Sequence, residues 1–393
     1  MQSHSSYDNE IFENCYSDRF RTLSQIKYGI FKKYGLDLII KELFLFINSW
    51  GTETKITSGA NIFMDEIKNS NMSNNLHQTQ RQFAIADKIT YLINMYKIEK
   101  NRHLKLGRIK TIKYICFLLC NVFVTSVKTF VKQEDLDRNI QRILIKSFVK
   151  YLREFDLKET NIFLMTDHHF YSSVIAMLYH NSNVLQHGLV LDKYFYYPIR
   201  AGRFFAWGEH SLELLERDSK VIVTGTYKFD NIANKMLLKS IRKLMFCISS
   251  LDENIVSKKI KCLYDITESL GLELIVKCHP GNLFDVRYWK NKFKDLKIIF
   301  YKEEPLSSID FDLAISENST INMDFVMMGK PFIIYDSAEG YFGRYFDLIP
   351  HGNCKEEIEA CISHISHIDF EAINLILKKE EINSNQCDIL HYV

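Results

Sequence analysis

From Asn161 onward, short apolar runs alternate with segments whose hydrophobic residues recur at helical spacing. Runs that are apolar at nearly every position are typical of strands buried on both faces of a sheet. Because helical segments separate most of them, the pattern predicts an α/β fold with a parallel sheet covered on both faces. The runs are NIFLMT, NVLQHG, RFFAWG, KVIVTG, KLMFCISS, LELIVKCHP, KIIFY, LAISEN and PFIIYD.

The alternation restarts near residue 240, which predicts two doubly wound units in tandem, joined by a linker around Lys228 to Arg242. At about 150 residues per domain, a chain of 393 residues also suggests two domains. We place the first domain at 1–235, with a Rossmann-like part from about 160, and the second at 236–393. Ligands of such sheets bind beside the carboxyl ends of the strands, so the residues directly after each apolar run are the candidates for a site.

The first third of the chain has a mostly helical pattern. Between Ile140 and Phe155, apolar residues recur every three or four positions, which predicts an amphipathic helix facing a core. Tyr114 to Val127 is strongly apolar, but Asn121 interrupts it and it is shorter than the ~20 residues of a membrane-spanning helix. We therefore predict a buried helix in this segment.

The net charge is close to neutral, because 50 Lys and Arg stand against 48 Asp and Glu. A net charge of +2 gives no reason to expect nucleic acid as a partner, so any anion site has to be local. The nine cysteines are scattered without a CxxC pair, which argues against structural zinc and favours a reducing compartment. The polar first fifteen residues do not resemble a signal peptide, so we expect a cytoplasmic protein.

Lys97 to Lys113 is a basic segment in which Glu99 is the opposing carboxylate. A basic run before an apolar helix can dock on an anionic membrane face or hold a phosphate-rich acceptor. The alternative is an ordinary solvated helix face and loop.

Lys277, Cys278, His279 and Pro280 directly follow the run LELIV. Proline cannot continue the strand ladder, so the chain turns there with Lys277 and His279 near the turn. Lys offers a point charge and His a hydrogen-bond donor, a pair suited to a phosphate group. The alternative is a strand that ends at Pro280 and buries a hydrogen-bonded His279.

Ser316, Glu317, Asn318, Ser319 and Thr320 follow the run LAI and precede the helical run INMDFVMMG. Ser and Thr can cap that helix, and a helix N-terminus carries about half a positive charge, which makes it a natural phosphate seat. Capping without a ligand is the alternative. We predict that this segment and the His-Pro turn lie on adjacent strands and hold one nucleotide phosphate from both sides.

Gln186, His187 and Gly188 end the run NVL in the first domain. His187 can project into a cleft and take up a proton near neutral pH, and Gly188 allows a ligand to approach closely. A turn histidine that caps the sheet is the alternative.

Three further residues complete the candidate set. Asp192 and Glu209 are reserve bases, and Gly225 predicts a tight turn where the chain crosses between domains.

Other familiar patterns are absent or misplaced. Asp310 and Asp312 match a DxD metal and nucleotide motif, but they precede a predicted strand instead of following it. The chain has no GxxxxGK[ST] loop, no GxGxxG and no GxSxG elbow, so a P-loop kinase, a standard dinucleotide oxidoreductase and an α/β-hydrolase lose their main support. We predict no metal site and no cofactor.

The segments VLQHGLVLDKY, VIVTGTYKFD, LIVKCHPGN and FDLAISENSTINMDFVMMGKPFIIYD resemble bacterial GT-B transferases that build capsules, lipopolysaccharide and teichoic acids. The likeness is strongest to the CDP-glycerol glycerophosphotransferase type, with its HG segment, TGxP-like crossing, HP turn and DYSS helix start before a KP strand. Bacterial sialyltransferases and Kdo transferases look similar in the carboxyl half. The resemblance implies a GT-B fold, in which two Rossmann-like domains face a central cleft.

The matching positions carry the roles that the resemblance implies. His279 and Pro280 match the HP motif, and Ser319 and Thr320 match the serine pair, which implies contacts to the donor phosphate and nucleotide. His187 matches the histidine of the HG segment, which implies a catalytic or acceptor-side role.

Two departures separate this chain from those families. The polymer-type transferases usually have Asp where Glu317 or Asn318 stands, and the sialyltransferases carry an acidic pair where Gln186 and His187 stand.

We therefore expect a metal-independent, inverting glycosyltransferase of bacterial surface-polysaccharide synthesis. It would move a sugar such as sialic acid or Kdo from a cytidine nucleotide to a hydroxyl of a saccharide or lipid-linked acceptor, in the cytoplasm or at the inner face of the membrane. The alternatives are a CDP-polyol phosphotransferase of the teichoic-acid type, a nucleotide-sugar epimerase, and a non-catalytic partner docked on the membrane through Lys97 to Lys113. The candidate residues are His187, His279 and Asp192 for catalysis; Lys277, Pro280, Ser316, Glu317, Ser319 and Thr320 for the donor; and Gln186, Gly188, Glu209 and Gly225 for the acceptor or cleft.

Overall fold

The structure is a computed structural model. It describes residues 31–65, 88–94, 103–132, 136–167, 170–186, 190, 198–225, 240–248, 252–278, 286–302, 304–317, 319, 321–335, 347–370, 372–373, 376–377 and 389–392. The α-helices in these ranges are α1 (Phe31–Asn48), α2 (Arg108–Lys132), α3 (Leu136–Leu152), α4 (Phe170–Leu178), α5 (Glu209–Leu214), α6 (Glu253–Leu270), α7 (Val286–Lys292), α8 (Ile321–Met328) and α9 (Lys355–His364).

The strands form two sheets. They are β1 (Asn61–Asp65), β2 (Tyr91–Asn94), β3 (Asn161–Leu164), β4 (Ser182–Leu185), β5 (Arg203–Ala206), β6 (Val221–Val223), β7 (Lys243–Cys247), β8 (Glu273–Lys277), β9 (Ile298–Tyr301), β10 (Leu313–Ser316), β11 (Phe332–Tyr335) and β12 (His351–Gly352). Short 3₁₀ turns lie at Leu306–Ser308, Ile365–His367 and Ile389–His391.

The chain divides into two compact units. Unit 1 comprises Met1–Ala206, Leu212–Thr224 and Cys387–Val393, and unit 2 comprises Trp207–Ser211 and Gly225–Gln386. The main division therefore falls between Thr224 and Gly225. Gly225 has a φ of 74°, in the left-handed region that glycine adopts without strain. The boundary placed between 235 and 236 from the sequence lies in 226–239, outside the described residues.

The sheet of unit 1 has the strand order β2-β1-β3-β4-β5-β6, and every pairing is parallel. This is a doubly wound order in which the chain changes direction across the sheet between β1 and β3. Three of its strands, β3 to β5, are buried along almost their whole length. That burial confirms the strand type predicted from their uninterrupted apolar runs.

The sheet begins about a hundred residues earlier than the sequence analysis predicts, because β1 and β2 come from the segment assigned to helices. β1 is short and β2 is only four residues long, so neither gives a strong pattern. One signal was present. Asn61-Ile62-Phe63 repeats Asn161-Ile162-Phe163, and the two triplets pair in register. The side-chain Nδ2 of Asn161 donates to Asn61 Oδ1 at 2.9 Å.

Aromatic side chains join the helices of unit 1 into one layer. Phe148 and Tyr151 on α3 are fully buried, and Phe148 meets the Tyr171 ring of α4 edge-on, with 4.8 Å between centroids. Phe46 of α1 lies 5.9 Å from the Tyr151 ring. The amphipathic helix predicted between Ile140 and Phe155 is thereby confirmed as α3, with its apolar side in this core.

α2 is not the buried helix that the sequence predicts. Tyr114 and Leu118 are buried, but on the other side of the helix Ile109 and Phe123 are 72% and 71% exposed. The helix is apolar on both sides, and within the described ranges α1 and α3 pack against one of them. An apolar run alone does not show how many of its sides are covered, which is why the prediction failed. By length and composition alone, Arg108–Ser126 is the one stretch of the described chain that would suffice to cross a membrane.

The sheet of unit 2 has the order β9-β8-β7-β10-β11-β12, again entirely parallel. β7 lies in the middle. The chain runs outward through β8 and β9, returns, and continues on the other side of β7 through β10. This is the Rossmann strand order, and its switch point lies between β7 and β10. The α/β fold class with two doubly wound parallel sheets and a helix-rich N-terminal part, predicted from the sequence, is confirmed.

A buried carboxyl group makes the stability of unit 1 depend on pH. Glu42 of α1 is fully buried, and Tyr171 Oη donates to its Oε2 at 3.1 Å. Burial raises the pKa of Glu42 to about 8 from an ordinary value of 4.5. The folded protein therefore keeps this proton up to about pH 8, whereas the unfolded chain loses it near pH 4.5.

We expect the free energy of unfolding to fall as the pH rises through that window, by up to ~1.4 kcal/mol per pH unit from this group. Glu42→Gln should remove this part of the slope, because its amide cannot ionise while its oxygen can still accept from Tyr171. Urea unfolding at a series of pH values measures both. Equal slopes for the two proteins would contradict a protonated Glu42.

Candidate functional site

The carboxyl ends of the central strands of unit 2 bring three candidate positions into one row. Lys277 at the end of β8 pairs with Cys247 of β7, and Cys247 pairs with Ser316 of β10. Paired residues of parallel strands point to the same face of the sheet. Lys277, Cys247 and Ser316 therefore lie side by side at the carboxyl edge, across the switch point.

Lys277 and Ser316 are not on adjacent strands, and the sequence-based prediction was wrong on this point. β7 lies between β8 and β10, so the two residues are two strand spacings apart, about 10 Å. The cause is the return crossover after β9, which places β10 on the opposite side of β7. Order along the chain does not reveal such a crossover. A single phosphate cannot contact both strand ends, so only residues of the segments that follow the two strands could share one phosphate, whereas a nucleotide is long enough to span the strand ends themselves.

Lys277 is almost completely buried, with 9% of its surface exposed. Its ammonium group donates to the backbone carbonyl of Lys302, which follows β9. β9 is on the far side of β8 from β10. In this conformation the ammonium group of Lys277 is directed toward the end of β9 and away from Ser316.

A compact hydrogen-bond network fixes the loop between β10 and α8. Ser316 Oγ contacts Asn322 Oδ1 and lies 3.1 Å from the Glu317 carbonyl oxygen, which also accepts from Asn322 Nδ2 at 3.1 Å. The backbone N–H of Asn322 donates to the Ser319 carbonyl at 3.1 Å. Ser316 and Asn322 are fully buried. This network sets where α8 begins relative to the sheet edge.

Ser319 lies at the start of α8, as the sequence predicts for a capping hydroxyl. The Ile321 amide donates to its Oγ at 3.5 Å, the long end of the hydrogen-bond range. Asn322 was missed by the sequence analysis, because an asparagine inside a helical run gives no sign that it binds the preceding loop. Its position in the first turn of the helix was the available signal.

Glu317 forms an ion pair with a lysine that the sequence did not indicate. Lys259 Nζ on α6 lies 2.6 Å from Glu317 Oε1 and donates to the Tyr335 carbonyl oxygen at 2.9 Å. It also lies 4.9 Å from the centroid of the Tyr335 ring. These contacts join α6 to the ends of β10 and β11. Lys259 and Glu317 are 58 residues apart along the chain, so no local pattern could have connected them.

The two helices that start at the switch point differ in their charge. α6, which follows β7, is capped by Asp252, whose Oδ1 accepts from the Asn254 and Ile255 amides at 2.8 and 3.1 Å. Glu253 adds a second carboxylate, and its hydrogen bonds to Lys292 and Tyr288 lower its pKa. The start of α6 therefore already holds anionic groups.

The start of α8, which follows β10, has the Ser319 hydroxyl near its first amides in place of a carboxylate cap, and its first turn contains Asp324. Of these two helix N-termini, α8 has the better electrostatics for a phosphate.

Cys247, in the middle of the row, is not a nucleophile in this environment. The thiol is buried, and burial raises its pKa well above the ordinary value, although nearby Lys277 acts in the opposite direction. Only the thiolate is reactive, so the protonated thiol serves as a small apolar floor beneath the switch point.

Three further candidates are described: Gln186 belongs to unit 1, and Glu209 and Gly225 belong to unit 2. Gln186, directly after β4, is fully buried, and its backbone N–H donates to the Phe205 carbonyl at 3.1 Å. Glu209 is exposed as the first residue of α5. Gly225 is buried and has the positive φ expected of the tight turn.

Several candidates lie outside the described residues, so their positions are not assigned. They are His187, Gly188, Asp192, His279, Pro280 and Thr320, together with residues 97–102 of the basic segment.

The DxD carboxylates have structural partners at the amino-terminal edge of the sheet. Asp312 Oδ2 accepts from the Arg242 and Lys243 amides at 2.8 and 2.9 Å, and Asp310 pairs with Lys243 Nζ at 2.7 Å. They lie at the opposite edge from Ser316. Within the described ranges, no group of three His, Cys, Asp or Glu side chains could hold a metal ion.

Neither a protein-family model nor a curated protein matches the sequence. Among solved structures, the UDP-GlcNAc 2-epimerase from Neisseria meningitidis bound to UDP-GlcNAc is 13% identical, with 84% of this chain and 96% of that chain covered and a TM-score of 0.47. A variant of the wall teichoic acid polymerase TagF is 11% identical over 95% of each chain, with a TM-score of 0.44. The pneumococcal O-GlcNAc transferase GtfA in complex with UDP and GlcNAc is 14% identical over 60% of this chain and 55% of that chain, with a TM-score of 0.36.

None of these three is a sialyltransferase or a Kdo transferase. Because the sequence identities and the TM-scores are both low, these likenesses carry no argument about function. The function has to be inferred from this chain's own residues.

The Lys259–Glu317 pair is expected to hold unit 2 together, because its side chains are only 17% and 9% exposed. Lys259→Met should destabilise the protein by about 3 kcal/mol, since it leaves the Glu317 carboxylate buried without its ammonium partner. Adding Glu317→Gln should restore most of that loss. Lys243→Met is the matched control, because its partner Asp310 is 82% exposed, and it should cost much less stability. Urea unfolding of these variants measures the coupling. An equal loss in both single Lys→Met variants would show that the pair contributes no more than a surface contact.

Proposed function

We propose that this chain is a nucleotide-dependent glycosyltransferase whose activated donor binds at the switch point of unit 2. The observation that supports this proposal most directly is the row formed by Lys277, Cys247 and Ser316 beside the fixed start of α8. In open parallel sheets, ligands bind outside the carboxyl ends of the strands where the strand order reverses. Lys277 and Ser316 end the strands on the two sides of β7, which supports a site at this edge, whereas the DxD carboxylates lie at the other edge.

The donor phosphate would lie at the start of α8. Ser319 and the first amides of that helix offer donors, and the Ser316–Asn322 network holds them in place before any ligand arrives. Asp252 and Glu253 make the start of α6 unsuitable for the same phosphate. Lys277 would balance negative charge from the β8 side, where the His-Pro turn follows.

Negative charge develops on the donor phosphate as its bond to the sugar breaks. Fixed donors aimed at that phosphate stabilise the transition state more than the ground state, so the reaction can proceed without a metal. We assign His279 to this phosphate and His187 to the acceptor. The acceptor oxygen forms a bond to the anomeric carbon, the nucleotide leaves with the electron pair of the broken bond, and His187 takes the acceptor proton.

A cytidine nucleotide is the donor that we propose, with a sugar such as sialic acid or Kdo, and the product would belong to a bacterial surface polysaccharide. This assignment rests on the resemblance of the HG, HP and Ser-Thr segments. A CDP-polyol phosphotransferase uses the same nucleotide and differs in the group that is moved. An epimerase would need no acceptor, and we expect it to prefer uridine.

A thermal-shift screen with CMP, CDP, UMP, UDP and GDP tests the donor class. A bound nucleotide raises the melting temperature by mass action. We expect the largest increase with CMP or CDP. A uridine preference would favour the epimerase, and no shift with any nucleotide would overturn the proposal.

Ser319→Asp should separate phosphate binding from helix capping. Aspartate can accept the same Ile321 amide as serine, so the melting temperature should be kept. Its charge would repel a donor phosphate, and we expect the nucleotide Kd to rise about tenfold or more. Ser307→Asp adds the same charge on an exposed turn of the same unit and serves as the control. Calorimetric titration measures the nucleotide Kd of both variants. An unchanged Kd in Ser319→Asp would show that the start of α8 is not part of the site.

His279→Ala and His187→Ala should divide the two proposed roles. Both should abolish transfer. The first should weaken CMP or CDP binding about tenfold or more, because a donor to a charged phosphate is lost, and the second should leave it unchanged. Full activity in both variants would refute the assignment.

A further inference from the structure

α2 presents an apolar face that no part of the described chain covers. Its exposed residues recur at three- and four-residue spacing and therefore lie on one side of the helix. The stripe from Ile109 to Phe123 is about 21 Å long at 1.5 Å per residue. Its members are Ile109, Ile112, Cys116, Leu119, Cys120 and Phe123, with Phe117 and Val124 along one edge.

We propose that this face docks on an anionic lipid surface, with the axis of α2 parallel to the surface. The basic segment from Lys97 to Lys113 already suggests a membrane contact. The structure extends it to an apolar face further along the chain and gives that face an orientation. This inference does not depend on the proposed transferase activity.

The charges of α2 favour an anionic surface. From Arg108 to Lys132 the helix contains five Lys or Arg and no Asp or Glu. Arg108 and Lys113 are exposed beside the apolar stripe, and Lys128 and Lys132 follow in the last turns. Long basic side chains can lay their stems along the apolar face while their charged ends reach lipid headgroups.

A second copy of the chain has a less complementary charge for this face of α2 than an anionic lipid surface has. A symmetric dimer through this face would place the basic helix against an identical basic helix, in either orientation. With no carboxylate on α2, like charges would oppose one another across the interface. An anionic lipid surface has the complementary charge.

The other side of α2 is fixed to unit 1, so the helix lies on a surface and does not cross it. Tyr114 Oη donates to Glu154 Oε1 at 2.9 Å and lies 3.1 Å from the Lys150 carbonyl oxygen. Lys110 Nζ lies 2.7 Å from Glu53 and 3.0 Å from Glu154. A spanning helix would have to carry these charged groups into the hydrocarbon.

The end of α1 adds an aromatic anchor beside the start of α2. Trp50 is 46% exposed. Its neighbour Ser49 is bonded to the start of α2, because its carbonyl accepts from the Leu106 amide at 3.0 Å and from Thr111 Oγ1 at 3.2 Å. Tryptophan is favoured at membrane–water interfaces, where its ring is apolar and its N–H stays hydrated.

Trp50 also provides a native reporter. The chain has three tryptophans, and the other two, Trp207 and Trp289, are fully buried. Titration of the full chain with vesicles of phosphatidylcholine plus about one third phosphatidylglycerol should shift the fluorescence to the blue, and pure phosphatidylcholine should shift it much less.

Variants test the face itself by vesicle co-sedimentation. Ile112→Glu with Phe123→Glu should lower the partition coefficient about tenfold or more, because charged groups then enter the interface. Leu270→Glu with Leu348→Glu makes the same change at exposed positions of unit 2 and should leave it within about twofold. Arg108→Gln with Lys113→Gln should weaken binding to anionic vesicles about tenfold and have little effect on neutral ones. Far-UV circular dichroism and melting confirm that each variant is folded.

Three results would overturn the proposal. The first is equal binding of the Ile112/Phe123 and Leu270/Leu348 variants. The second is a dimer in analytical ultracentrifugation that the Ile112/Phe123 variant dissociates, without vesicle binding by the parent chain. The third is resistance of the bound protein to extraction at high pH, which would indicate a spanning helix. Vesicle binding that needs both anionic lipid and the intact apolar face supports it.

Discussion

Parallel pairing is the constraint on which the rest of this structure depends. Every described strand of each sheet runs in the same direction as its neighbours, so all carboxyl ends lie along one edge. Polar residues that come after separate apolar runs are thereby gathered, even when many residues separate them along the chain. In unit 2 the strand register pairs Lys277 with Cys247 and Cys247 with Ser316, so the three residues lie in one row across the sheet. The hydrogen bonds and the ion pair around Ser316 and Lys259 then fix the loop that leaves β10.

The electrostatics of unit 2 distinguish two helix N-termini that the fold alone treats alike. Both α6 and α8 begin at the switch point, and the helix dipole favours an anion at either one. The chain's own Asp252 occupies the first, whereas the Ser319 hydroxyl lies at the second. A substitution that exchanged these caps would move the favourable anion position without changing the strand order. The choice between the two therefore depends on a few side chains.

α2 shows how the same composition can have opposite consequences. Its apolar residues surround the helix, and a run of this kind is typical of a helix buried on all sides or embedded in lipid. Tyr114 and Leu118 are buried against unit 1, whereas Ile109 and Phe123 face outward. The absence of carboxylates along the whole helix is unusual for a solvent-facing surface, and it gives the exposed side its positive rim.

The sequence by itself determined the strands from β3 to β11, the presence of two doubly wound units and the segments that end strands with polar residues. These are local properties, because burial on both faces leaves an uninterrupted apolar run and a helix start needs a capping residue. The triplet shared by β1 and β3 could have extended the prediction to the first sheet. Only the tertiary structure decided that β7 separates β8 from β10, that Lys259 neutralises Glu317, that Asn322 holds the start of α8 and that one side of α2 lies open. Each of these results depends on contacts between segments that are far apart along the chain. Such contacts form only once the strand order is set, and local sequence patterns do not reveal that order.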